Sequence, residues 1–126
     1  MLIEIIQARI AKYPLEKIVL NRDQSECIRA CNECVVACLQ CASTCLRESD
    51  VTAMARCVAL AVECADVCRL AAASVAWGSE HMNAVCSLCA AVCQTCASEC
   101  SKHTMAHCQN CAEACKQCAA VCRGMS

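Results

Sequence analysis

Between residues 27 and 45 the chain reads CIRACNECVVACLQCASTC, with polar side chains (Arg29, Asn32, Glu33, Gln40, Ser43, Thr44) mixed with aliphatic ones between the cysteines. The gaps from Cys27 through Cys31, Cys34, Cys38 and Cys41 to Cys45 run four, three, four, three, four. The same alternation returns at Cys86, Cys89, Cys93, Cys96 and Cys100, and again at Cys108, Cys111, Cys115, Cys118 and Cys122. A sparser set, extended in the same register, reads Met54, Cys57, Ala61, Cys64, Cys68, Ala71, Val75. Alternation of three and four averages about 3.5 residues, which is the a/d stripe of a heptad and implies a left-handed supercoil. The pattern therefore predicts four helices, each carrying sulfur where leucine ordinarily sits.

Local signals set the boundaries. Asp23 followed by Glu26 reads as a capping box ahead of the first stripe, and Asp50 as a cap for the second helix. Trp77-Gly78-Ser79 separates the second stripe from the third, with Ser79 capping the latter, and Ser101 to Thr104 supplies the last turn. Gly124 stands where a C-terminal glycine belongs. Residues 2–13 form a shorter amphipathic pattern ending before Pro14, with Leu2, Ile3, Ile6 and Ile10 on one face that would cover the bundle or a neighbouring subunit. The expected organisation is a single domain, 1–126, with an N-terminal helical segment over 2–21 and bundle helices over 23–48, 51–77, 80–101 and 105–123. Short connections give an all-α fold: an antiparallel, up-down-up-down four-helix bundle with a cysteine-lined core, plus a short N-terminal helix. Val35, Leu39, Val58, Leu60, Val67, Leu88, Val92 and Val121 flank the stripes and are expected to pack neighbouring helices together.

Composition sharpens this picture. Of 126 residues, 19 are cysteine, one is tryptophan, one tyrosine and none phenylalanine, so the hydrophobic fraction of 59% does not describe a hydrocarbon core. A net charge of -1 indicates neither nucleic acid nor an anionic membrane as a partner. No segment approaches an uncharged apolar span of about 18 residues, so no membrane span is expected. The start, MLIEIIQARIAKYPLEK, has neither the basic n-region nor the apolar run of a secretory signal, and the expected compartment is the cytoplasm, where thiols stay reduced. An odd total of 19 also rules out complete internal pairing.

Cysteines at i and i+4 of a helix have Cβ atoms about 5–6 Å apart with roughly parallel Cα–Cβ bonds, which is poor disulfide geometry. It is good geometry for a soft metal bound at about 2.3 Å from sulfur. Thiolate-only sites select Cu(I), Zn(II) or Fe–S clusters, and charge separates them. Four zinc ions would engage sixteen thiolates and leave a net charge of about -8, whereas near one Cu(I) per thiolate the interior is neutral. That matching predicts roughly 15–20 Cu(I) per chain. Two alternatives remain: a Zn/Cd thiolate buffer of metallothionein type, and an Fe–S electron-transfer protein, although Fe–S clusters usually sit on loops rather than continuous helices. No Ser-His-Asp arrangement, paired acid or phosphate loop points to an enzyme.

The strings CxxxCxxCxxxCxxCxxxC from Cys27, and CxxCxxxCxxCxxxC from both Cys86 and Cys108, resemble the bacterial copper storage proteins over residues 23–123. The resemblance, with its cytosolic branch, implies a homotetramer of four-helix bundles that store Cu(I) on CxxxC and CxxC pairs, with all nineteen cysteines as ligands. Antiparallel order gathers Cys45, Met54, Cys57, Cys100, His103, Thr104, His107 and Cys108 at one end, and Leu20, Cys27, Val75, Trp77, Met82, Cys86, Cys122 and Met125 at the other. The first end carries neutral, borderline-soft donors, so copper is expected to pass through it by way of His103, His107 and Met54. His81 and Met82 are read as structural, and Asn32 and Asn110 as solvated. Release would call for a copper chaperone or a small-thiol exchange partner.

Overall fold

The computed structural model describes the backbone of residues 1–12 and 19–125, and the side chains of 1–9 and 19–125. The helices are α1 (Leu2–Lys12), α2 (Arg22–Cys45), α3 (Ala55–Trp77), α4 (Met82–Cys100) and α5 (Ala106–Met125), and a 3-10 turn, Thr52–Met54, leads directly into α3. Among the described residues there is no strand. The expected all-α, four-helix bundle is the observed fold. Consecutive helices α2 to α5 pack side by side, and α5 closes the ring against α2.

Several boundaries differ from the expected ones. The capping box at the start of α2 is Asn21 with Gln24, not Asp23 with Glu26: the Asn21 side chain accepts from the Gln24 N–H at 2.8 Å, and Gln24 Oε1 accepts from the Asn21 N–H at 3.0 Å. Asp23 then falls in the first turn, where its charge complements the helix dipole. Glu26 instead accepts from the Arg29 Nε–H at 2.9 Å. Asp50 accepts from the Ala53 N–H, so it caps the 3-10 turn rather than α3. Ser79 accepts from the His81 N–H just before α4, which itself has no side-chain cap.

Gly78 ends α3 in the left-handed region at φ 73, with the Ser79 N–H bonded to Ser74 O in a Schellman pattern. Gly124 does no such work, because α5 continues to Met125 and Gly78 is the one positive-φ glycine among the described residues. Pro14, the expected stop of the N-terminal helix, lies outside the described residues.

The stripes face inward as predicted. All nineteen cysteines are fully buried, as are Ala61, Ala71 and Val75, with Met54 at 3% exposure. Among the described residues, Met54 and Val75 are the only buried apolar side chains larger than cysteine. Between the helices the contact is mostly alanine. Ala65 and Ala72 on α3, Ala90 and Ala97 on α4, and Ala112 and Ala119 on α5 are buried, each pair one heptad apart and each residue just after an a/d position. Val35, Val58, Leu60, Val67, Val92 and Val121 pack on this core as expected. Leu39 and Leu88 do not; both are exposed, because they occupy outward b and c positions rather than the flanking e and g.

The apolar face expected to cover the bundle is exposed instead: Leu2, Ile3 and Ile6 of α1 stand in solvent, and the Ile10 side chain lies outside the described set. Among the described residues, Arg9 ties α1 to the bundle: its guanidinium lies 4.7 Å from the Trp77 ring centroid and donates to Trp77 O at 3.5 Å.

Replacing Asn21 by Ala removes the side-chain acceptor of the Gln24 N–H, leaving the Asn21 N–H bond to Gln24 Oε1 in place, and should cost about 1 kcal/mol of copper-free stability. Asp23→Ala, which touches only the dipole, should cost less than half of that. Urea unfolding followed by circular dichroism under reducing conditions measures both.

Candidate metal centre

Helices α2, α4 and α5 each deliver a thiol to the axis about every 5 Å along their length, α3 adds Cys57, Cys64 and Cys68, and the four helices interleave them into a column. Within one helix the sulfurs of CxxxC pairs stand 3.8 Å apart at Cys34–Cys38 and Cys41–Cys45, 3.9 Å at Cys64–Cys68, Cys89–Cys93, Cys96–Cys100 and Cys118–Cys122, and 4.0 Å at Cys111–Cys115. Contacts between helices are as short: Cys34–Cys115 and Cys38–Cys111 at 3.7 Å, Cys64–Cys93 and Cys68–Cys93 at 3.6 Å, Cys31–Cys118 at 3.7 Å. All nineteen are free thiols, far outside the S–S bond length of about 2.05 Å.

These spacings are those of sulfurs around a shared metal. Three sulfurs at about 2.3 Å from one ion lie about 4.0 Å apart, and four lie about 3.8 Å apart. Quartets with all sulfurs within 4.8 Å of one another include Cys41/Cys45/Cys57/Cys108, Cys38/Cys96/Cys111/Cys115, Cys34/Cys38/Cys64/Cys115, Cys34/Cys64/Cys68/Cys93 and Cys31/Cys89/Cys118/Cys122. Distance alone would suit zinc or copper. The quartets share corners, however: Cys34, Cys38, Cys64 and Cys115 each belong to more than one. Isolated tetrathiolate ions cannot fill such a lattice, whereas ions joined by bridging thiolates can.

At the two ends burial is the main force on Cys108, Cys86 and Cys57, while the Cys122 S–H lowers Cys27. Burial pushes Cys108 and Cys86 up to about 12 and raises Cys57. Deeper in, the thiols solvate one another. The Cys115 and Cys118 S–H groups lower Cys34, while Cys68, bonded to Cys118, goes up. S–H donation from a protonated neighbour is thus the force in the copper-free column that favours a thiolate, and donation to a neighbour the force that opposes one.

One end of the column carries the non-thiol donors. Cys57 and Cys100 meet there at 3.4 Å, beside the Cys41/Cys45/Cys57/Cys108 quartet. Met54 is buried above them in the α3 stripe. His103 stands in the turn after α4 with its Nε2 3.0 Å from Glu99 Oε2. His107, at the start of α5, has a buried Nε2 without a hydrogen-bond partner, 3.6 Å from Glu48 Oε1. Glu99 escaped the sequence reading. It is a glutamate only 9% exposed, reached by Arg56 from α3 at 3.0 Å and by Lys102 at 3.6 Å, and the His103 hydrogen bond holds its carboxyl below the usual range. Its sequence signal is positional: it directly precedes an a-position cysteine and so occupies a flanking g site. At the other end Cys27 and Cys122 are 3.9 Å apart, Val75 is buried, and Leu20 and Trp77 are exposed. Asn32, Asn110 and His81 are exposed, away from the column, and Met82 packs on its edge.

Residues 20–126 match the family model described as copper storage protein. The chain is 45% identical over 100 residues to the cysteine-rich protein YhjQ of Bacillus subtilis, covering 79% of this chain and 93% of that one. Among solved structures it resembles the Cu(I)-bound copper storage protein BsCsp3, with a TM-score of 0.79, 43% identity, and coverage of 82% of this chain and 98% of that one. It also resembles a cytosolic copper storage protein from Streptomyces lividans holding five coppers, with a TM-score of 0.79, 36% identity, and coverage of 82% and 91%. The family match spans all four cysteine stripes, and the chain belongs to the copper storage protein family.

Proposed function

We propose that this chain is a cytosolic Cu(I) store whose nineteen core thiols all act as ligands, and that copper passes in through the end formed by Met54, His103 and His107. The observation that carries this reading is the corner-sharing thiol lattice, fully buried and unbridged by disulfides. Each Cu(I) that replaces a thiol proton leaves the core charge unchanged, so loading can continue toward roughly 15–20 ions per chain. Divalent zinc would leave excess negative charge at every tetrathiolate.

The role of the chain is sequestration. The solved relatives are named as a copper storage protein and as a cytosolic one, which supports both storage and compartment. No described helix is long and apolar enough to cross a membrane. Withdrawal of copper from multi-thiolate sites calls for a competing soft ligand, either a copper chaperone or a small thiol. The working unit is a homotetramer, in line with the family resemblance.

Anaerobic titration with Cu(I) against a chelator should give a colourless protein whose ultraviolet thiolate-to-copper absorption climbs to an endpoint of roughly 15–20 equivalents. An endpoint near four Zn(II) with no preference for copper would establish a zinc buffer, and a brown protein as purified an Fe–S one. Burial raises Cys57 and Cys108, so protons compete harder there than at free thiols, and apparent Cu(I) affinity should fall as the same titration is moved from about pH 8 to about pH 6.

His103→Ala with His107→Ala should slow uptake in stopped-flow mixing while leaving the final capacity intact; an unchanged rate would move the mouth elsewhere. Sedimentation velocity should give the mass of four chains, and a monomer would remove the tetramer.

A further inference from the structure

The mouth contains a buried carboxylate that lies in none of the five thiol quartets named above. Glu99 sits in the last turn of α4, immediately before Cys100, with its side chain 10% exposed. A carboxylate withdrawn from water needs partners on each oxygen. Arg56 supplies one from α3, its Nε 3.0 Å from Oε1, and Lys102 stands 3.6 Å from the same oxygen. His103 takes the other oxygen, Nε2 to Oε2 at 3.0 Å.

His103 is held at its backbone as well. Its N–H donates to Cys100 O at 3.1 Å, and its carbonyl accepts from the Gln109 side-chain amide. Ring, N–H and C=O are thus each tied to a different residue: Glu99, Cys100 and Gln109. A residue in an inter-helix turn ordinarily has none of this restraint.

The ring contact has a chemical consequence. A carboxylate only accepts hydrogen bonds, so the nitrogen facing Glu99 carries the proton. In the neutral ring the other nitrogen, Nδ1, then holds the lone pair. Carboxylate partners fix metal-binding imidazoles in this way, setting tautomer and orientation and raising donor strength.

We infer that Glu99 is a positioning residue for copper uptake: clamped by Arg56 and Lys102, it holds His103 in the Nε2-protonated form, so that Nδ1 is the atom that takes Cu(I) at the mouth. This rests on the reading of His103 as part of the mouth and goes beyond it by naming the donor atom and the residue that sets it. His107 is left the looser partner, since its Nε2 has no hydrogen bond.

The test joins nitrogen spectroscopy to uptake kinetics. In the 15N-labelled copper-free protein at pH 7.5, long-range proton–nitrogen correlation should show the His103 Nε2 protonated. Once the thiols are filled and further Cu(I) is added, the Nδ1 resonance should move and Nε2 should keep its proton. Glu99→Ala should mix the tautomers and slow uptake about 10-fold, at the low end for a lost outer-shell partner of an imidazole ligand. Glu99→Gln keeps an acceptor oxygen and should recover most of the rate. Glu99→Ala should add nothing in a His103→Ala background.

If His103→Ala alone leaves uptake unchanged, the mouth reading falls and this inference with it. If His103→Ala slows uptake but Nε2 is the nitrogen that moves, or Glu99→Ala slows uptake equally with and without His103, the inference alone is overturned. Should Glu99→Ala fail to fold, the nitrogen shifts of the unmodified protein and the Glu99→Gln rate still decide it.

Discussion

A thiolate in a dry helical core has no water to solvate it, and this one constraint organises the molecule. The helix backbones satisfy their own amides and carbonyls, so the cysteines can turn only to one another or to a cation. Protonated, a cysteine behaves as a small hydrophobe with a weak S–H donor, and a column of them packs as a core. Ionised without a cation, the same column would repel itself and carry the desolvation cost of every charge. A monovalent soft cation exchanged for a proton avoids both costs, because each exchange is electrically neutral. The interior is therefore acceptable both copper-free and loaded, and a gradual transition between the two needs no change of fold.

The width of the column follows from what lies between the helices. Had the e positions carried leucine, the axes would stand farther apart and sulfurs on different helices could not meet. Ala65, Ala72, Ala90, Ala97, Ala112 and Ala119 keep these seams thin. Contacts of 3.6 to 3.7 Å between thiols of α3 and α4, and of α2 and α5, depend on that closeness. Thin seams also mean little hydrocarbon burial, with Met54 and Val75 the only large apolar side chains buried among the described residues. Sulfur contact and helix propensity carry the copper-free fold, and the stored metal ties four helices together in addition.

The inward face of each helix was legible because the period is strict: a stripe alternating three and four admits one helical phase. The helix ends were less legible. Asp23-x-x-Glu26 and Asn21-x-x-Gln24 both satisfy the capping formula, and the earlier pair wins because α2 starts at Arg22, which leaves Glu26 free to pair with Arg29. Leu39 and Leu88 were misplaced by hydrophobicity, since heptad position rather than residue type decides that b and c face water. Glu99 was invisible for the opposite reason. A glutamate on a helix reads as solvated, and its burial arises only when Arg56, forty-three residues earlier in sequence, arrives from the next helix. For α1 the apolar periodicity was real, yet Leu2, Ile3 and Ile6 face solvent. Periodicity gives a helix its apolar face without naming the surface that covers it.

The α3 stripe makes the two ends of the column unequal. It begins with Met54, ends with Val75, three heptads on, and both are buried. At one end the plug is a thioether, which a passing cuprous ion can use as a weak, neutral ligand; at the other it is hydrocarbon, which offers nothing. The polar clamp of Glu99, Arg56, Lys102 and His103 lies at the thioether end, while an indole stacked with Arg9 lies at the other. Inside the column α3 gives up two stripe positions to Ala61 and Ala71, and Ala71 with Val75 leaves the far end a wall without sulfur. Along α3 the density of sulfur thus falls from the Met54 end toward Val75, while Cys27, Cys86 and Cys122 of the other helices keep thiols at that far end. On the proposed route, an ion moving along α3 would meet a thioether first, then thiols, and last hydrocarbon, an order that favours retention over passage through.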